Sequence, residues 1–179
     1  MKKLLIAFFS LFVMANANAA LLDGKTINYQ YYFPNVSSPY SNSDNGDKVV
    51  GAGIEVSNVA ENIATMDISD TNIYIDFLSS SSWTISTFNG FKLTDTLNNI
   101  ANFTSVSINS ATNMVGFSLS NITVLADEIW VNWQGLSFDA NTIVSLDLNT
   151  SAVPVPAALF LFAPALLGFL GFRRKITTA

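Results

Sequence analysis

The sequence predicts an all-β protein, an antiparallel β-sandwich or jelly-roll-like domain that lies between two apolar chain ends. Short segments rich in Val, Ile, Thr and aromatic residues alternate apolar and polar positions, and turn residues separate them roughly every 8–12 residues. No long amphipathic helix is present to form the crossovers that a parallel sheet needs. A β-solenoid would show a repeat at fixed spacing, and the sequence contains no such repeat. We therefore expect three parts, at residues 1–19, 20–152 and 153–179.

The strands are predicted from period-two alternation. In residues 71–78, Ile73, Ile75 and Phe77 fall on one face, so Asp76 should face solvent. Residues 26–33 are rich in β-branched and aromatic residues, and Pro34 ends the segment. Further strands are expected at residues 49–59, 83–88, 103–108, 114–119, 122–125, 129–133 and 143–148.

The connections are predicted from Gly, Pro, Asn, Asp and Ser. Residues 35–47 are crowded with these types and should form an exposed loop. Asn89-Gly90 predicts a hairpin, because both residues tolerate the positive φ of a type I′ turn. Residues 93–100 are the one candidate for a helical turn, although their Asp and Asn residues disfavour it.

The N-terminal end is typical of a secretory signal peptide. Two lysines after Met1 precede an apolar run over residues 4–14, which is too short for a stable membrane span. Ala17 and Ala19 provide the small residues of an A-x-A cleavage site. We expect the mature chain to begin at Ala20.

The C-terminal end is predicted to span a membrane. Residues 153–172, if helical, rise about 30 Å, which matches the hydrocarbon thickness of a bilayer. Arg173, Arg174 and Lys175 follow directly. Because basic residues beside a span stay in the cytoplasm, the domain before it should lie on the other side of the membrane, outside the cytoplasm.

The domain between these ends is strongly acidic. Its basic residues are Lys25, Lys48 and Lys92, whereas all 13 acidic residues of the chain lie within it. Such a surface repels phosphate backbones, which argues against nucleic acid as a partner. The chain has no cysteine, so core burial alone must stabilise the fold.

The residue inventory favours a protein that is not an enzyme. With no His and no Cys, the Ser-His-Asp triad, the Cys-His dyad and His-ligated metal chemistry are excluded. Glycoside hydrolysis needs only two facing carboxylates. Its candidates are Glu55, Asp76, Glu128 and Asp139, and an exposed carboxylate on a sheet is more often simply solvated.

A calcium site is a weaker candidate. Residues 41–47 gather oxygen ligands around Gly46 in a way that is similar to the start of an EF-hand loop. The alignment puts Ala52 where the bidentate Glu belongs, so the motif fails. Asp44 and Asp47 remain as a loose candidate pair beside an ordinary Asx-rich turn. We predict no metal and no cofactor.

The three tryptophans raise the alternative of a carbohydrate-binding module. Trp83, Trp130 and Trp133 have polar neighbours, and an exposed indole can stack on a pyranose ring. Trp130 and Trp133 are three residues apart, so in one strand they point to opposite faces. At most one of the two should line the core.

The C-terminal segment resembles a known sorting signal. Val153-Pro154-Val155-Pro156-Ala157 precedes the apolar run, which carries Gly168 and Gly171 and ends at the basic cluster. This order of Pro motif, Gly-bearing span and terminal cations is similar to the PEP-CTERM signal of Gram-negative bacteria. Val155 stands where that family usually has Glu, so the motif resembles its VP-x-P-A variant.

This resemblance implies a route and a set of partners. An exosortase, a membrane-embedded transpeptidase-like protease, would recognise the signal and release or transfer the ectodomain at the Pro motif. Family members are exported alongside exopolysaccharide systems. The segments YYFPNVSSPY, STFNGF and ADEIWVNWQGLSF also resemble a recurrent type of PEP-CTERM exoprotein, to which no activity attaches.

We therefore expect an exported, non-enzymatic protein of the cell surface or extracellular matrix. It would be anchored first in the inner membrane and would become surface-bound or extracellular after processing, in connection with exopolysaccharide or biofilm. A carbohydrate-binding module and a carboxylate glycosidase are the alternatives.

Overall fold

The computed structural model describes residues 21–151, which form an all-β, β-sandwich-like unit of antiparallel sheets. The one helical element there is a 3₁₀ turn at Leu119–Asn121. Within this described range, no helix is long and apolar enough to cross a membrane. The expected all-β class is thus confirmed, whereas the predicted signal peptide and C-terminal span lie outside the described residues.

The first sheet has five strands in the order β2-β1-β7-β10-β9, and each neighbouring pair is antiparallel. β7 is the central strand, flanked by β1 and β10 over its full length. The strands are β1 (Thr26–Tyr32), β2 (Gly46–Val49), β7 (Gly90–Thr94), β9 (Ile122–Val124) and β10 (Glu128–Asn132).

The second sheet also has five antiparallel strands, in the order β3-β4-β5-β12-β8. They are β3 (Ile54–Val56), β4 (Ala64–Ile68), β5 (Asn72–Phe77), β8 (Phe103–Ile108) and β12 (Ile143–Thr150). A separate two-residue pairing joins β6 (Ser81–Ser82) to β11 (Ser137–Phe138).

The two sheets enclose one core, to which β1, β4, β5 and β10 contribute alternate residues. β1 buries Ile27, Tyr29 and Tyr31, and β5 buries Ile73 and its period-two partners. The Tyr29 hydroxyl crosses the core and donates to the Val59 carbonyl oxygen over 2.6 Å. Burial raises the pKa of Tyr29 far above its usual value, so this hydroxyl stays protonated in the folded protein.

Most of the expected strands are confirmed. The predictions at residues 26–33, 71–78, 103–108, 122–125, 129–133 and 143–148 match β1, β5, β8, β9, β10 and β12 to within two residues at each end. Asp76 shares the outer face with exposed Tyr74, as the alternation predicts. The predicted loop at residues 35–47 is correct except that β2 already begins at Gly46. Of residues 49–59, only Val49 and Ile54–Val56 are in strands.

Two expected strands are wrong. Residues 83–88 and 114–119 lie outside the strands, and the apolar side chains of Ile85 and Val115 are 82% and 84% exposed. The backbone of the first segment bonds to two different places: Trp83 N donates to Leu136 O, and Phe88 N donates to Pro34 O. Without one partner strand, a period-two pattern alone does not form a ladder.

The predicted hairpin at Asn89-Gly90 is also wrong. Gly90 opens the central strand β7, opposite Tyr32 on one side and Asn132 on the other. A Cβ at Gly90 would overlap the Val131 carbonyl oxygen, so the glycine is needed for a close backbone approach rather than for positive φ.

The helical turn expected at residues 93–100 is replaced by the end of β7 and a capped turn. Buried Asp95 accepts hydrogen bonds from Asn99 N (3.2 Å) and Ile100 N (2.8 Å). A side chain that accepts its neighbours' backbone N–H groups competes with helix formation. The structure also contains β4 at Ala64–Ile68, where no strand was predicted.

Candidate functional site

Several predicted site residues lie outside the described residues. They are the sorting motif Val153, Pro154, Val155, Pro156 and Ala157, the basic residues Arg173, Arg174 and Lys175, and the signal cleavage residues Ala17, Ala19 and Ala20.

Two of the three candidate glycan-stacking tryptophans belong to the core. Trp133 is fully buried and Trp83 is 6% exposed, and their rings stack with centroids 6.0 Å apart. Trp133 also packs against Phe77, Phe91 and Phe117. Neither indole offers an open face on the outside of a sheet, so their assignment to a sugar platform is corrected.

Trp130 alone of the three lies on an outer sheet face. Its ring stacks on Tyr32 at 5.7 Å and meets Phe88 edge-on at 5.7 Å. Lys92 Nζ sits 4.9 Å from the ring centroid and pairs with Glu128 Oε1 at 3.0 Å. Trp130 Nε1 donates to Glu128 Oε2 over 2.8 Å. The prediction that Trp130 and Trp133 face opposite sides is confirmed.

The calcium candidates have protein partners. Asp44 accepts hydrogen bonds from Lys48 Nζ (2.6 Å) and from both N and Oγ of Ser57 (3.1 Å each). Desolvation alone would raise the pKa of Asp44, but these bonds hold it below its usual value. Asp47 accepts from Asn28 Nδ2 over 2.7 Å. Within residues 21–151, no group of three or more acidic side chains is arranged to hold a metal ion.

Three of the four candidate glycosidase carboxylates accept structural hydrogen bonds. Glu55 accepts from Gly51 N and Ile68 N, which ties β3 to β4. Asp139 accepts from Asn141 N in the turn before β12. Asp76 is half-buried on β5, and Glu128 is held by Lys92 and Trp130 as described above.

A cleft of about 210 Å³ lies where the loops at one end of the sandwich meet. The side chains that matter to its chemistry are Tyr31, Phe33, Tyr40, Glu61, Trp83 and Asn89, and three hydroxyls from Ser81, Ser82 and Thr84 complete the polar part of its lining. The lining therefore combines four aromatic rings with one formal charge.

The four rings contact one another in sequence. Trp83 packs on Tyr31 at 5.8 Å, Tyr31 on Tyr40 at 6.1 Å, and Tyr40 on Phe33 at 6.0 Å between centroids. The Tyr40 and Phe33 planes are 87° apart, so these two rings form a corner. β1 positions Tyr31 at its inner face, and Phe33 follows directly after that strand ends.

The polar groups below the rings are fixed. The Asn89 side chain accepts from Tyr31 Oη over 2.8 Å and donates to Thr84 O over 3.1 Å. Burial raises the pKa of Tyr31 well above its usual value, and the nearby Tyr29 adds to this. Tyr31 is therefore a neutral hydrogen-bond donor at physiological pH.

The acidic group of the cleft is Glu61, which lies in an exposed loop and accepts a hydrogen bond from Tyr40 Oη. That hydrogen bond, with some burial, raises the pKa of Tyr40. Glu61 and its neighbour Asn62 have φ of 51° and 57°. Two bonds hold this left-handed segment, from Glu61 N to Asn42 O at 2.9 Å and from Asn62 N to Asn58 Oδ1 at 2.7 Å.

Both ends of the described chain lie opposite the cleft. Leu22 N donates to Asp70 Oδ1 over 2.9 Å, beside the far end of the second sheet. Ser151 N donates to Asn102 O over 2.8 Å at that same end, next to the start of β8. The cleft instead lies beyond Tyr32 in one sheet and Ala64 in the other. The chain thus enters and leaves at one pole, and the cleft occupies the other.

Comparisons with protein-family models, with curated proteins and with solved structures found no match.

The cleft was not predicted from the sequence, except that Trp83 was a candidate for ligand stacking. Tyr40 and Glu61 fall in polar loop segments without a local motif, and Asn89 was assigned to a turn. The available signal was the aromatic run Tyr31-Tyr32-Phe33 before Pro34. This run indicates aromatic side chains at the end of a strand, but it does not indicate which other residues line the cleft with them.

Proposed function

We propose that this chain is an exported, non-enzymatic protein of the cell surface or extracellular matrix, sorted through a PEP-CTERM-like C-terminal signal. Its partners would be an exosortase-type protease, the inner membrane before processing, and exopolysaccharide in the matrix afterwards. The proposal includes removal of residues 1–19 on export.

The observation that carries the proposal is the placement of the chain ends. Residue 151 leaves the domain two residues before the Pro motif at Val153, at the pole opposite the cleft. A tether at this pole leaves the loops around the cleft free to meet a partner. A domain held this way suits display from a membrane or a matrix.

The non-enzymatic part rests on the chemistry of the side chains. The chain has neither His nor Cys, and the carboxylates Glu55, Glu128 and Asp139 already accept structural hydrogen bonds. Glu61 in the cleft accepts from Tyr40 and has no second carboxylate in the lining. Acid and base catalysis on a glycoside needs two such groups facing one another.

Mass spectrometry of the mature protein tests the sorting step. In cells that carry the exosortase-type protease, we expect an N-terminus at Ala20 and a C-terminus near Pro154 or Pro156. In cells without it, the chain should keep Arg173-Arg174-Lys175 and stay in the inner-membrane fraction. Pro154→Ala combined with Pro156→Ala should block processing, and Pro164→Ala serves as the control. Intact basic residues on the mature protein of normal cells would contradict sorting.

A carbohydrate-binding role is the second candidate, favoured by the outer-face cluster of Trp130, Tyr32 and Phe88. These rings lie on the sheet among polar neighbours, where a pyranose could stack. A glycan array should show binding that Trp130→Ala abolishes. Tyr74→Ala, which removes an exposed ring from the other sheet, should leave it unchanged. Equal binding by both variants would rule this cluster out.

A further inference from the structure

We infer that the cleft binds a small organic cation that carries a methylated ammonium group, because it brings four aromatic rings together with an unneutralised carboxylate. This inference concerns the cleft alone and does not depend on how the chain is sorted or on the Trp130 cluster.

The aromatic part of the cleft has the geometry that such a cation needs. A cation is attracted to a ring face within about 6 Å of the centroid. Tyr40 and Phe33 meet edge to face, with centroids 6.0 Å apart and planes at 87°, so an ammonium group that lies on the exposed face of one ring also comes near the edge of the other. Trp83 and Tyr31, which are only 6% and 1% exposed, lie behind this pair on the other side of Tyr40 and form the buried part of the aromatic lining.

The charge of the lining has one sign. Glu61 is the only charged residue among those lining the cleft. Within residues 21–151, the two ion pairs are Lys48 with Asp44 and Lys92 with Glu128, so Glu61 has no cationic partner there. A carboxylate next to aromatic faces attracts a cation and repels uronates, phosphates and other anions.

The backbone at Glu61 is strained in a way that fits a binding role. Glu61 and Asn62 are both left-handed, and Glu tolerates this region less readily than Asn. Holding such residues costs conformational free energy, and this cost is common in segments that position a ligand group. The bonds to Asn42 and Asn58 keep the loop in place, so the carboxylate is held beside Tyr40.

The cleft size selects the ligand class. A volume of about 210 Å³ suits a group such as choline or tetramethylammonium, and it is too small for an oligosaccharide or a folded peptide. Methyl groups on nitrogen spread the charge and contact ring faces, whereas a bare metal ion would keep its water shell. Ser81, Ser82 and Thr84 are available to a ligand hydroxyl.

Isothermal titration of the full-length protein in a maltoside detergent tests this with choline and with its uncharged isostere 3,3-dimethylbutan-1-ol. Because the cleft is open to solvent, we expect choline to bind with about millimolar affinity. The neutral isostere should bind at least about tenfold more weakly. Equal affinity for the two compounds, or no binding of choline or tetramethylammonium, overturns the inference.

Matched variants locate the site. Glu61→Gln should weaken choline binding by about tenfold, and Tyr40→Ala should weaken it at least as much. Tyr40→Phe, which keeps the ring and removes the hydroxyl, should retain most of the affinity. Asp127→Asn, an exposed carboxylate change at the opposite pole, should have no effect. Circular dichroism must show that each variant is folded, and a folded Glu61→Gln protein with unchanged affinity contradicts the inference.

The cation could come from a soluble metabolite or from a lipid headgroup. Glycerophosphocholine, the water-soluble headgroup of phosphatidylcholine, added to the same choline titration separates the two sources. Competition by glycerophosphocholine shows that the site accepts a lipid headgroup, and choline binding that it leaves unchanged identifies a soluble ligand. Both results support a methylammonium site. Binding of glycerophosphocholine without any binding of free choline would overturn it.

Discussion

Replacing Trp133 with alanine should lower the free energy of unfolding by about 3–5 kcal/mol. The side chain is fully buried where the two sheets meet, in contact with the rings of Phe77, Trp83 and Phe91. Removing it takes the largest fully buried side chain out of the core and leaves a cavity between the two sheets. Urea denaturation of the full-length protein, followed by circular dichroism, measures the loss.

Two further variants test the cause. Trp133→Phe should cost much less, because it keeps an aromatic ring and also removes an indole N–H that has no hydrogen-bond partner within residues 21–151. Trp130→Ala should also cost less, because this ring is only half-buried on the outer face. If Trp133→Ala were no more destabilising than Trp130→Ala, the core position of Trp133 would be disproved.

Replacing Gly90 with alanine should destabilise the protein by about 3 kcal/mol, although it adds only one methyl group. The new Cβ would overlap the Val131 carbonyl oxygen and lie 2.9 Å from its carbon and 3.0 Å from Asn132 Cα. These are backbone atoms, so no side-chain rotation relieves the overlap. The central strand must shift, which weakens its pairing with both neighbours.

Gly51→Ala is the matched control. Gly51 has no atom within 4 Å of its Cβ position and no positive φ. Its replacement should leave stability unchanged or raise it by about 0.4–1 kcal/mol through the unfolded chain. The same urea titration compares the two variants. Equal stability of Gly90→Ala and Gly51→Ala would mean that β7 does not approach β10 as closely as described.

Gly90 also shows why local signals had limited reach. An Asn-Gly pair predicts a tight turn because both residues tolerate positive φ. Here Asn89 is buried and hydrogen-bonded through its side chain, and Gly90 is required by the neighbouring strand. The absence of a Cβ permits both a positive φ in a turn and a close approach of another backbone. Only the partner strand, which is distant in sequence, determines which of the two roles Gly90 has.

Strands with strong patterns were predictable, and weaker ones were not. β1, β5 and β12 carry β-branched and aromatic residues at inward positions, so their alternation indicates strands directly. β4 alternates equally well, but its inward residues Ala64 and Met66 are neither β-branched nor aromatic, so the strand signal is weaker. Residues 83–88 have the composition of a strand but no continuous partner.

The cleft was beyond local reasoning. Tyr40, Glu61 and Trp83 come from three loops that meet only because the two sheets pack face to face. The aromatic content of residues 31–33 was visible in the sequence, whereas its pairing with Glu61 depends on the left-handed segment at residues 61–62. The composition alone did predict that the domain is acidic, and this charge favours a cationic ligand over an anionic one.

The position of β12 determines how the domain responds to pulling. β12 is the last strand within residues 21–151, it runs from the cleft pole toward the point where the described chain ends, and β5 and β8 bond to its two edges. Tension between a large partner held at the cleft pole and an anchored C-terminus would act along this strand, at right angles to its hydrogen bonds. The load would fall on all of these bonds together, in shear, and would not open them one by one.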